Sequence, residues 1–289
     1  MLETTYTIVA PPEPAMAWQD YASLASAELS ALLTIGSCDE RAFQALLEDH
    51  PILVPGVFPA VQSRHNSIFP ASVITQPPLT GLSTKIPDFG VISCDSGTLY
   101  VTLVEIESPC KPWATKKGLQ AAELTQAIGQ LRDWKIWFKD PLNAARFFDE
   151  YQVPGIMRSH RAFVVQCVLV YGRRADLIRA QFAKRRAESQ GDNEVFMTWD
   201  RIAPSNHYSN LLTVRLTPSG YQAWRVPPIV TLGPWHADDH SIILHRDRAV
   251  DASRHLSPAR GRFLKDRWPY WDEWARNSDR GIRTSADHE

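Results

Sequence analysis

Two glutamates two positions apart, Glu105 and Glu107 in "VEIESPCK" (104–111), are the residues best spaced for chemistry. In a strand, residues i and i+2 share a face, so both carboxylates crowd one side of a sheet just ahead of Pro109. Like charges that close raise each other's pKa unless positive charge lies between them. A divalent cation supplies that charge: Mg²⁺ prefers hard oxygen ligands and takes one or two carboxylates, with water and phosphate completing its shell. A third acid is in reach. Asp88 opens "DFGVIS" (88–93) after Pro87, and the turn residues "CDSG" join this run to "LYVTLVEIES" (99–108) as a hairpin. Antiparallel pairing sets Asp88 beside Glu105 and Glu107. Glu48, in the helical run "SCDERAFQALLEDHP", is a candidate fourth acid.

The elements that must position these acids follow from periodicity. Tyr21, Leu24, Leu29 and Leu32 predict a helix over 17–33. Ser37 with Glu40 reads as a capping box for the next helix, whose stripe is Phe43, Leu46 and Leu47 and whose end is Pro51. Residues 52–84 hold five prolines and read as short strands and loops. A long helix is expected over 119–140, with Leu124, Ile128, Leu131 and Phe138 on one side. "AFVVQCVLVYG" (162–172) reads as a strand buried on both faces. A charged helix over 173–189, a strand over 194–199 and a second hairpin around Pro218-Ser219-Gly220 follow. Residues 1–15 are Pro-rich and expected to be poorly ordered, and 280–289 reads as a free tail. This order predicts an α/β fold, a mixed β-sheet flanked by helices.

Composition narrows the function classes. The chain has 289 residues, 44% hydrophobic and 22% charged, ordinary for a globular protein. No apolar run approaches the ~18 residues of a membrane span, and the N-terminus lacks a secretory pattern, so a cytoplasmic protein without membrane contact is expected. Cys38, Cys94, Cys110 and Cys167 are scattered, which reads as reduced thiols. Net charge is −1, but cations cluster. Lys111, Lys116 and Lys117 follow the glutamates, Arg173, Arg174, Arg179, Lys184, Arg185 and Arg186 share the charged helix, and Arg260, Arg262, Lys265 and Arg267 form a third group. Each cluster suits phosphates or a solvated face. Phosphate-loop and nucleophile-elbow motifs are absent. "WHADDH" (235–240) with His245 and His255 lacks a nearby Cys and reads as a solvated loop rather than a zinc site. "RFLKDRWPYWDEWAR" (262–276) reads as a packing or self-association surface rather than a base-stacking one.

"IPDFGVI" followed by a hairpin and "VEIESP" resembles the PD-(D/E)XK nuclease pattern. With "FQALLEDHPILV", "VITQPPL", "ELTQAIGQLRDW", "VLVYGRR" and "FMTWDRI" in order, residues 40–202 resemble the Shedu-type nuclease domain of bacterial anti-phage defence. The resemblance implies a restriction-endonuclease-like fold over 40–202, with 1–39 as a helical extension and 203–289 as a hairpin and helical extension. It implies a Mg²⁺- or Mn²⁺-dependent DNA endonuclease and a homo-oligomer. Asp88 and Glu105 would hold the metal, Glu107 takes the third motif position, Gln130 would lie near the scissile phosphate, and Glu48 would be the acid brought by the first helix. Glu107 departs from the usual Lys. It can ligate metal or take a proton from metal-bound water, while Lys111 or Lys116 could supply the missing positive charge. The alternative is a catalytically degenerate fold that binds nucleic acid or a partner.

Overall fold

A computed structural model describes residues 5–56, 67–81, 84–179, 182–204, 210–277, 279–281 and 289. Its helices are α1 (Trp18–Thr34), α2 (Glu40–Asp49), α3 (Ala122–Lys139), α4 (Pro141–Glu150), α5 (Gly155–Arg158), α6 (Arg174–Arg179), α7 (Ala183–Ser189), α8 (Ala237–Ser241), α9 (Arg246–Asp251) and α10 (Pro258–Arg276). Its strands are β1 (Ser67–Thr75), β2 (Phe89–Cys94), β3 (Thr98–Ile106), β4 (Ala162–Val170), β5 (Glu194–Met197), β6 (Leu212–Thr217), β7 (Gly220–Arg225) and β8 (Ile243–Leu244). They form one mixed sheet in the order β5-β4-β3-β2-β1-β6-β7-β8. The β2–β3 hairpin is antiparallel, with Phe89 opposite Val104 and Cys94 opposite Leu99. β3 runs parallel to β4, and β1 parallel to β6. The sheet therefore continues beyond residue 202.

The period-2 alternation of β3 divides the core between two layers. Leu99, Val101 and Leu103 pack with the α3 stripe of Leu124, Ala127, Ile128, Leu131 and Trp134. Val104 and Ile106 pack with Tyr21 of α1 and with Phe43, Leu46 and Leu47 of α2. β4 divides the same way, Cys167 and Leu169 to one layer and Val168 and Val170 to the other. This explains its unbroken apolar sequence.

Some expectations are corrected. The cap of α2 is Asp39, whose carboxylate accepts from the Arg41 N–H, so Glu40 is free of that duty. The charged helix is two short helices, α6 and α7. Cys38 and Cys110 are not free thiols: a disulfide joins them across 72 residues, because the start of α2 packs on the loop after β3. Residues 57–66, 82–83, most of the expected tail and the Arg179 side chain lie outside the described residues. Within that tail, Glu289 is buried and paired with Arg260 at 2.7 Å. Tyr6, in the segment expected to be poorly ordered, is buried against Trp271 and Trp274. The Arg/Trp-rich segment is α10, and Trp268, Trp271 and Trp274 are buried in it, so packing accounts for it. Among the described residues no helix is long and apolar enough to cross a membrane.

Candidate carboxylate site

The hairpin brings Asp88, Glu105 and Glu107 together where β3 ends. Glu105 shares the face of Leu103 by alternation, and Glu107 follows two residues on. The Asp88 carboxylate accepts from the Ile106 N–H at 2.8 Å, which ties it to the backbone between the two glutamates. Glu107 is fixed through its backbone: its N–H donates to the Val170 carbonyl at 2.9 Å, and its carbonyl accepts from the Trp199 indole at 2.7 Å. Ser108 donates to the Cys38 carbonyl at 2.9 Å, and the disulfide adds a covalent tie from Cys110 to the start of α2.

Burial makes these acids unusual. Glu105 and Glu107 are 8% and 7% exposed. Burial, and then the charges of Asp88, Glu107 and Glu40, push the Glu105 carboxyl up to about 9. Burial, with Glu40 and Glu107, pushes Asp88 up to about 7 despite the Ile106 hydrogen bond. Glu107 is raised by burial, an effect that Lys111 opposes. The Lys111 ammonium contacts the Glu107 carboxylate and lies 3.7 Å from Glu40. Partial burial lowers the Lys111 pKa, but its hydrogen bond to Glu107 and the charges of Glu107 and Glu40 outweigh that and raise it. Two acids, one buried and one half-buried, whose pKa values are pushed up to about 9 and about 7 are a donor set short of cationic charge. Hard oxygens in that state fit a divalent cation.

The other expected residues fall differently. Glu48 is 6% exposed, and protein donors fill its oxygens. Thr75 donates at 2.6 Å and the Trp224 indole at 2.7 Å, Gln44 donates at 3.4 Å, and Arg215 lies 3.6 Å away. Gln44 also reaches the Asp88 carbonyl at 3.5 Å, so this amide links Glu48 to the Asp88 backbone. Gln130 is exposed on α3, off the helix's buried stripe. Lys116 and Lys117 are exposed in the loop after β3. Arg173 is held by Asp200, with its Nε and Nη2 at 3.0 and 2.8 Å from one oxygen, whereas Arg174 is exposed at the start of α6. Glu40 is the site residue that sequence reasoning missed, because an acid at a helix start reads as a cap. A cavity of about 580 Å³ opens elsewhere, among Leu53, Gln166 and Val195, and none of the three carboxylates lines it.

A mixed sheet flanked by helices, with acids gathered at the end of a central hairpin, is a restriction-endonuclease-like α/β architecture. Residues 37–202 match the family described as Shedu protein SduA, C-terminal, and the chain belongs to that family, which is associated with anti-phage defence. No curated protein matches the chain.

Proposed function

We propose that the chain is a metal-dependent endonuclease that hydrolyses phosphodiester bonds of DNA in anti-phage defence. The observation that carries this reading is the trio of half-buried Asp88 and buried Glu105 and Glu107, with Lys111 against it. Asp88 and Glu105 would hold Mg²⁺ or Mn²⁺, with Glu107 as a third oxygen donor. The ion, when bound, acidifies water and offsets charge on the phosphoryl oxygens. Lys111 supplies positive charge on the loop after β3, so the Lys missing from the third motif position has a substitute four residues on. Glu107, tied to Lys111, can accept a proton from an attacking water. Lys116 and Lys117 follow β3 and Arg174 follows β4. These strands are parallel neighbours, so the three exposed cations follow adjacent strands and suit DNA phosphates. The homo-oligomer implied by the resemblance is part of the same proposal and is checked by light scattering.

The test is cleavage of plasmid and linear DNA with Mg²⁺ or Mn²⁺. Cutting by the native chain that is lost in Glu105→Ala supports the reading. No cutting by the native chain, with cutting gained in Glu107→Lys, assigns the protein to a binding role on a degenerate site.

A further inference from the structure

Far from the carboxylate trio in sequence, three other ligand-type side chains converge. Glu28 lies on α1, His50 caps the end of α2, and His255 lies just ahead of α10. One ligand atom from each falls within 4.8 Å of the others. The His50 Nε2 is 2.9 Å from one Glu28 oxygen, and the His255 Nε2 is 3.3 Å from the other. The two imidazoles stack with ring centres 5.2 Å apart.

A direct hydrogen-bonded triad does not satisfy this group. His50 is fully buried, and its bond to Glu28 is well formed. The His255 Nε2 is a buried atom that no described donor or acceptor satisfies: it is near Glu28 but out of line for a hydrogen bond. A cation among the three uses that nitrogen's lone pair, together with those of His50 and Glu28. Zn–N and Zn–O bonds of about 2.0–2.2 Å give a tetrahedral edge of roughly 3.4 Å. Each imidazole nitrogen lies 2.9 or 3.3 Å from a different Glu28 oxygen, so a turn of the carboxylate brings one oxygen to both.

We propose that Glu28, His50 and His255 form a second metal site, one that takes Zn²⁺ rather than Mg²⁺. Two imidazoles and one carboxylate are a donor set for a borderline transition ion, whereas Mg²⁺ demands oxygen. Asp49, next to His50 in sequence, is not a fourth ligand, because Arg225 and Arg254 hold its two oxygens. The fourth position falls to water. A groove of about 400 Å³ lined by Ala31, Ala45 and Arg254 borders the site at Glu28. His50 lies inside the family-matched region, and Glu28 and His255 lie on either side of it. The ion therefore clips both flanking segments onto the nuclease-like core.

The test uses the full-length chain, stripped with chelator and titrated with Zn²⁺ by calorimetry and with Co²⁺ by visible absorption. The expected result is one Zn²⁺ per chain, a d–d band of a four-coordinate Co²⁺ site, and a higher melting temperature with Zn²⁺. His255→Gln and Glu28→Gln change partly exposed residues. Each should weaken binding by roughly 100-fold or more, since losing even an outer partner of a ligand costs about 10–100-fold. Asp88→Ala should bind Zn²⁺ as the native chain does. No Co²⁺ band in the native chain overturns the proposal. So does Zn²⁺ binding that survives His255→Gln and Glu28→Gln, or that Asp88→Ala abolishes.

Discussion

Glu105→Gln should flatten the pH dependence of stability in the metal-free chain. The unfolded Glu105 carboxyl titrates near its ordinary 4.5, whereas the folded one is pushed up to about 9. Below the unfolded value both states are protonated and the favourable contribution is complete. As pH rises, the unfolded state gives up this proton first, so the contribution falls and is gone once pH passes the folded value. Each retained proton is worth about 1.4 kcal/mol per pH unit, or about 2.7 kcal/mol between about pH 6 and pH 8. The glutamine removes that proton while keeping the size of the side chain. Glu105 is already neutral across this window, so Asp88 faces the same charge in both proteins. Urea unfolding with chelator present should therefore show the native chain losing stability more steeply than the variant, by about 1.4 kcal/mol per pH unit. Mg²⁺ should reverse the trend, because it must displace protons to bind, and its affinity should rise with pH over the same range. Parallel profiles for the two proteins would refute the reasoning, since they would mean that Glu105 is ionised throughout.

Two further outcomes follow from the same loop. Lys111→Met leaves Glu107 buried without its ammonium, so stability at about pH 8 should drop by about 1–3 kcal/mol; urea unfolding should show the deficit shrinking in acid, where Glu107 is neutral in both proteins. Reducing the Cys38–Cys110 disulfide, or substituting Cys110→Ser, reopens a loop of 72 residues, which chain entropy values at about 4 kcal/mol; an unchanged denaturation midpoint with dithiothreitol would show that the bond is absent.

The β2–β3 hairpin was legible because its signals are local: a turn between two apolar runs sets the register and with it the place of Asp88. The buried stripe of α3 was legible for the same reason. What the sequence hid are pairings between distant segments. Glu48 looks like an ordinary helix-end acid until β7 lays Trp224 on it, 176 residues later. Cys38 and Cys110 look unrelated because nothing local marks two helix-and-loop ends as neighbours. The histidines densest in sequence are those of 235–240 with His245 and His255, whereas in space His255 meets Glu28 of α1 and His50 at the end of α2. Gln130 lies on the helix that the apolar period predicts, and the phase of the buried stripe leaves its amide in solvent.

The parallel pairing of β1 with β6 bears on where this chain can be cut. Ser72, Val73 and Ile74 spend their outward backbone groups on Leu212, Thr213 and Val214, beyond the end of the family-matched region. Ending the chain at residue 202 would strip β1 of that partner and leave a row of open amides and carbonyls on an apolar strand. Such a border recruits strands from other molecules, so the excised piece would aggregate. The segment after residue 202 is thus a seal on the sheet as well as an extension of it.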